Sequence, residues 1–121
     1  MITHISFDSI PATDVQRARD FYVEKLGLAV GTDAPFGETR WIMLEIPGAR
    51  TQIHLDHVAA MPEADKPALV LIDDDVAGTV KRLRDRNVEV IREPGPAEWD
   101  AQTTYSLFRD SEGNMILLAS R

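Results

Sequence analysis

The sequence predicts an α+β fold made of two βαβββ modules in one chain. Three observations point there. A strand-like run leads to a helix start at Asp14, with an apolar stripe after it and a glycine stop at Gly27. A second run, Ala68-Leu69-Val70-Leu71-Ile72, leads into the same arrangement at Asp75, with Asn87 in the place of the stop. Each helix is then followed by three more strand-like segments, the last two separated by a glycine-containing turn.

In the first module, residues 2–10 place β-branched or aromatic side chains at alternate positions (Thr3, Ile5, Phe7), and Pro11 is expected to end this strand. Thr13 and Asp14 are competent N-caps. Val15, Ala18, Phe21, Tyr22 and Leu26 recur at helical spacing, and Gly27 suits the left-handed residue that closes a helix. A short strand over 29–33, a loop at Ala34-Pro35-Phe36-Gly37, a strand over 40–46, a turn at Pro47-Gly48-Ala49 and a strand over 51–56 complete the module. In that last strand Gln52, His54 and Asp56 share one face, and Ile53 and Leu55 share the other.

The second module opens with the run that begins at Ala68. The three aspartates Asp73, Asp74 and Asp75 read as charges gathered at a helix N-terminus, where the dipole favours them, rather than as a metal site. Val76, Val80 and Leu83 mark the buried stripe. A short strand over 88–91, a rigid loop at Glu93-Pro94-Gly95-Pro96, and a hairpin of strands over 103–108 and 114–119 around Asp110-Ser111-Glu112-Gly113 follow. Aligning the halves sets Asp14-Val15 over Asp75-Val76, Gly27-Leu28 over Asn87-Val88, and Ile53-His54-Leu55 over Ile116-Leu117-Leu118, an internal repeat in pattern more than in identity.

The chain of 121 residues suits one domain over 1–121, with module one over about 1–58, a linker over about 59–66 and module two over about 67–121. A net charge of −7 with no basic patch argues against nucleic acid and against an anionic membrane as partners. The absence of cysteine excludes disulfides, thiolate metal sites and a cysteine nucleophile. No apolar run approaches a membrane span, and Met1-Ile2-Thr3-His4 lacks a basic and apolar signal region, so a cytoplasmic location is expected.

The chain resembles the vicinal-oxygen-chelate superfamily of glyoxalases, bleomycin-resistance proteins and extradiol dioxygenases. The residues that carry the resemblance begin with Ile10-Pro11-Ala12-Thr13-Asp14, then Arg17-Ala18, Phe21-Tyr22 and Leu26-Gly27-Leu28. Toward the other end they are Glu93-Pro94-Gly95-Pro96, Trp99 and Phe108-Arg109-Asp110-Ser111-Glu112-Gly113-Asn114. The resemblance implies two βαβββ modules whose curved mixed sheets surround a cleft, often completed by a second chain, and hence a homodimer. It also implies a divalent metal (Zn, Ni, Mn or Fe) held by one side chain on the first and one on the last strand of each module.

Carried onto this chain, those four positions are Phe7, His54, Ala68 (Pro67 if the register slips by one) and Leu117. Only His54 can coordinate a metal, and three or four ligands are needed for a stable site. No cofactor is therefore expected, and a metal would require a shifted site around His54 with help from Asp56, His57, Glu45 or Asp8.

What remains in the expected cleft is largely apolar and aromatic. Phe7, Trp41, Tyr105, Met115 and Leu117 are the candidate walls, and Trp99 lies on a loop that can cover the mouth. Arg40, Gln52 and His54 add polar ligand-binding groups, while His54 and Asp56 are the candidate acid–base pair. The first expectation is a superfamily member that has lost the usual metal ligands and binds a small aromatic or planar molecule. The alternatives are a metal-dependent lyase, isomerase or dioxygenase with ligands shifted around His54, and a metal-free enzyme that uses His54 and Asp56.

Overall fold

Strand parity sorts the side chains of the first unit into two faces. The computed structural model describes residues 1–121 and divides into two compact units, Met1–Pro62 and Glu63–Arg121. In the first unit, β1 (Phe7–Ala12) is followed by α1 (Val15–Leu26), β2 (Ala29–Phe36), β3 (Thr39–Glu45) and β4 (Gln52–His57). The sheet order is β1-β4-β3-β2, with β1 parallel to β4 and the other pairs antiparallel. Ile10, Ala12, Ile42, Leu44, Ile53 and Leu55 are buried on the face covered by α1, which contributes Val15, Ala18 and Tyr22. Removing these apolar side chains from water is the main stabilising term of the unit.

The ends of α1 follow from its flanking residues. Asp14 accepts a hydrogen bond from the Arg17 N–H at 3.0 Å, which satisfies one of the open donors of the first turn. Gly27 takes φ 76°, and the next N–H, of Leu28, returns to the Tyr22 carbonyl at 3.1 Å.

The second unit has the corresponding plan: β5 (Leu69–Ile72), α2 (Val76–Asp85), β6 (Val90–Pro96), β7 (Thr104–Arg109) and β8 (Met115–Ala119), in the order β5-β8-β7-β6 with β5 parallel to β8. Its helix-side core is Leu69, Ile116, Leu118 and Phe108 beneath Val76, Val80 and Leu83. The aspartate run acts as capping chemistry. Asp75 accepts from the Gly78 N–H at 3.0 Å, and Asp73 accepts from the Asp75 N–H at 2.7 Å and from the Thr79 hydroxyl at 2.5 Å. The β7–β8 turn is fixed by Asp110, whose Oδ1 accepts the N–H groups of Glu112 and Asn114, each at 2.9 Å. No helix is long and apolar enough to cross a membrane.

Prolines are where the strands depart from expectation. Pro11 does not end β1, and neither 34–36 nor 93–96 is a loop: Pro11, Pro35, Pro94 and Pro96 all lie inside strands. β1, β2 and β6 are each the outermost strand of their four-stranded sheet, where a missing N–H need not break a ladder. In β1 the carbonyls of Ser6 and Ala12 accept from β4 and its continuation, so Pro11, of opposite parity, turns its nitrogen away from that partner. In β6 the register shifts twice, between Val90 and Arg92 and between Arg92 and Gly95, which accommodates Pro94 and Pro96 at irregular positions. The first strand also starts later than expected, because residues 2–6 make only isolated bonds to the start of β4, through the Ile5 and Ser6 carbonyls.

Asn87 closes α2 at φ 63°, the only non-glycine residue with positive φ. Asn tolerates that region better than branched residues do. Asn87→Val is expected to lower the unfolding free energy by about 1–2 kcal/mol in urea titration, whereas Asn87→Gly leaves it unchanged or raises it.

Candidate functional site

The face of the first sheet opposite α1 is aromatic around one histidine. β1 and β4 pair Ser9 with His54 and Phe7 with Gln52, and β3 places Met43 beside His54 on its other flank. The Trp41 indole lies 4.0 Å, centroid to centroid, from the His54 imidazole at an interplanar angle of 32°. Phe7 meets His54 at 5.5 Å and Trp41 at 6.1 Å, both edge-on, and Phe36 adds a ring 5.6 Å from Trp41. His54 is 8% exposed, while Phe7 and Phe36 remain 39% and 61% exposed. The arrangement is a ring-lined surface with a buried polar centre and two accessible aromatic edges.

His54 Nδ1 lies 3.0 Å from the Ser9 hydroxyl. Burial pushes the imidazole below its ordinary pKa, and the charge of Asp56 pulls it partway back. The hydrogen-bond partner of His54 is thus Ser9, and Asp56, exposed at the end of β4, acts on it through charge. Gln52 sits at the rim, donating to Glu45 at 2.9 Å.

Arg40 faces the other way. Its parity matches Ile42 and Leu44, so it lies on the α1 side, separated by the sheet from Trp41. There Nε donates to Asp33 at 2.5 Å, and Arg19 of α1 donates to the other carboxylate oxygen at 2.6 Å. The hydrogen bond from Arg40, joined by that from Arg19, holds the Asp33 carboxyl below the usual range against the opposing effect of burial. A cavity of about 540 Å³ also lies on this side, between Thr13 and Gln16 at the start of α1, Pro35, Glu38 and Arg40 of the β2–β3 hairpin, and His57.

In the second unit the face opposite α2 carries Tyr105, Leu117 and Ala119, buried together with Ala97, and Leu107 packs against them. Met115 shares the parity of Leu117 and is partly buried. Trp99, in the segment after β6, places its ring 4.8 Å from that of Tyr105. The Arg92 guanidinium lies 4.4 Å from the Tyr105 centroid. The candidate residues thus form two sets, Phe7, Trp41, Gln52 and His54 in one unit and Trp99, Tyr105, Met115 and Leu117 in the other, with Arg40 outside both. Sequence reasoning missed Ser9, Phe36 and Arg92. Ser9 was reachable by counting two from Phe7; Phe36 and Arg92 were hidden by reading their surroundings as loop.

Of the positions aligned with metal ligands, Phe7 and His54 share the aromatic face, Ala68 donates its N–H to the Met115 carbonyl at 2.8 Å, and Leu117 is part of the apolar floor. No group of three or more His, Asp and Glu side chains is gathered so as to hold a metal ion.

Two four-stranded mixed sheets, each with one helix on one face and an aromatic patch on the other, define an α+β class of module-built proteins. The chain belongs to the glyoxalase/bleomycin resistance protein/dioxygenase superfamily, whose family model matches residues 1–118. It is 31% identical over 121 residues to the protein YetH of Bacillus subtilis (strain 168), covering 98% of both chains. It is similar in structure to TnmS3, an antibiotic-binding protein from Streptomyces sp. CB03234, with a TM-score of 0.82 and 35% identity over 97% of this chain and 94% of that one. A superfamily member from Sphaerobacter thermophilus DSM 20745 gives a TM-score of 0.85 at 27% identity, covering 98% of both.

The depressed His54 pKa has a consequence for stability. Between the folded value and the unfolded value of about 6.5 the unfolded chain binds more protons, so the contribution is complete above about pH 6.5 and is lost as pH falls through the folded value. Urea midpoints are expected to drop from pH 7 to pH 5, and His54→Phe flattens that part of the curve. Asp56→Asn removes the opposing charge and is expected to lower the His54 pKa further in an NMR titration.

Proposed function

We propose that the protein binds a small, planar, partly polar organic molecule against its aromatic sheet faces and does so without a metal. The observation that carries this reading is the close, tilted Trp41–His54 pair with Phe7 edge-on beside it, a cluster of rings of the kind that favours a flat ring system. A neutral imidazole tied to Ser9 supplies one hydrogen-bonding group at its centre.

The residues do not fit the chelated metal that the superfamily implies. Among the four aligned positions only the His54 side chain has a donor atom, and its Nδ1 is already engaged by Ser9. The similarity to an antibiotic-binding protein supports a ligand of the same general kind, a small organic compound. The proposal includes a homodimer as the working assembly, tested by sedimentation velocity, where a monomer at micromolar concentration removes it.

Tryptophan-fluorescence titration of chelator-treated protein with a panel of planar aromatic compounds should reveal a ligand, with affinity reduced about tenfold or more by Trp41→Ala. Elemental analysis of protein purified without chelators provides the opposing test. A stoichiometric Zn, Ni, Mn or Fe that disappears in His54→Ala overturns the metal-free reading.

A further inference from the structure

We propose that Arg92, Tyr105 and Trp99 form an anion-selecting subsite, so that the ligand class is an arene bearing a carboxylate, sulfonate or phenolate. This rests on the reading of the protein as a binder of planar organic molecules and narrows it to charged ones.

Three arginines of the second unit are neutralised by carboxylates: Arg84 by Glu93, Arg109 by Glu89 and Arg121 by Asp100. Arg92 has an aromatic ring as its partner instead. Parity explains the difference. Glu93, its neighbour in β6, is drawn to α2 by Arg84, while Arg92 stands opposite Leu107 on the other face, at the point where the two register shifts meet. In a chain with 20 acidic and 13 basic side chains, a guanidinium held by a ring and by no carboxylate keeps its capacity for an incoming anion.

The surroundings specify the rest of the ligand. The floor is apolar, with Tyr105 and Leu117 buried among Ala97 and Ala119, and the Trp99 ring, 60% exposed, rises beside Tyr105. An arene resting on Trp99 and this floor brings a substituent to the guanidinium. The planar fork offers parallel N–H donors to a carboxylate or sulfonate, and the Tyr105 ring holds the fork in place. A charge-assisted hydrogen bond of this type is expected to give roughly tenfold or more discrimination against an uncharged analogue.

The test uses two fluorescent arenes that differ in the anion: 1-anilinonaphthalene-8-sulfonate and uncharged N-phenyl-1-naphthylamine. The native protein should bind the sulfonate about tenfold or more tightly over the neutral dye at low salt, with the preference shrinking as ionic strength rises. Arg92→Gln should abolish most of the preference and leave the neutral dye's affinity unchanged. Arg92→Lys should retain part of it, and Arg50→Gln, on an exposed turn of the first unit, should alter neither dye. Equal binding of both dyes by the native protein, or a preference that survives Arg92→Gln, overturns the subsite while arene binding stands. If neither dye binds, the subsite falls together with the proposed function.

Discussion

The pairing register of the central strands governs both the stability and the chemistry of each unit. Because side chains alternate across a strand, a slip of one residue between β1 and β4 would exchange Ile10 and Ala12 for Ser9 and Pro11 against α1. The apolar residues beneath the helix therefore do two things at once. They stabilise the unit, and by fixing parity they present His54, Trp41, Phe7 and Ser9 together on the opposite face. The same applies to β7 and β8, where burial of Phe108, Ile116 and Leu118 commits Tyr105 and Leu117 to the other side.

The elements with a strong periodic signal were legible in the sequence. Both helices start at the aspartate that caps them; α1 is closed by Gly27 and α2 by Asn87, one residue past its Arg86 cap, both at positive φ. The strands rich in apolar residues, β3, β4, β5, β7 and β8, lie within a residue or two of where alternation placed them. The hidden parts of the edge strands have one cause: proline reads locally as a breaker, yet its effect depends on whether the strand has a neighbour on the nitrogen's side, which is a property of the sheet. That is why β2 and β6 are longer than expected and why Phe36 and Arg92, inside them, escaped notice. Arg40 was expected among the polar groups of the cleft, but adjacent residues on a strand face opposite ways, so it lies across the sheet from Trp41, where Asp33, shared with Arg19, is its partner.

The motif around Asp14 that signals the superfamily also acts as a ruler for its chemistry. Counting from it lands on Phe7, and the structure sets the Phe7 ring edge-on against the His54 imidazole. The fold is that of the superfamily, and on its first sheet Phe7, Trp41 and His54 gather aromatic area, so any function has to be argued from the residues the scaffold carries. In the proposed reading each unit has its own means of discriminating among organic ligands: aromatic rings and the His54 imidazole in the first, and in the second an Arg92 guanidinium held by the Tyr105 ring.

The strand prolines bear on how copies of this chain can meet. A strand added to the outside of β2 or β6 needs backbone donors there, and Pro35, Pro94 and Pro96 offer none. These margins are closed to sheet extension, which guards a protein with exposed Ile91, Phe36 and Val30 on the same strands against indiscriminate stacking into fibres. Any ordered association through those strands must then be written in side chains, and side chains can be specific where a bare hydrogen-bond ladder cannot.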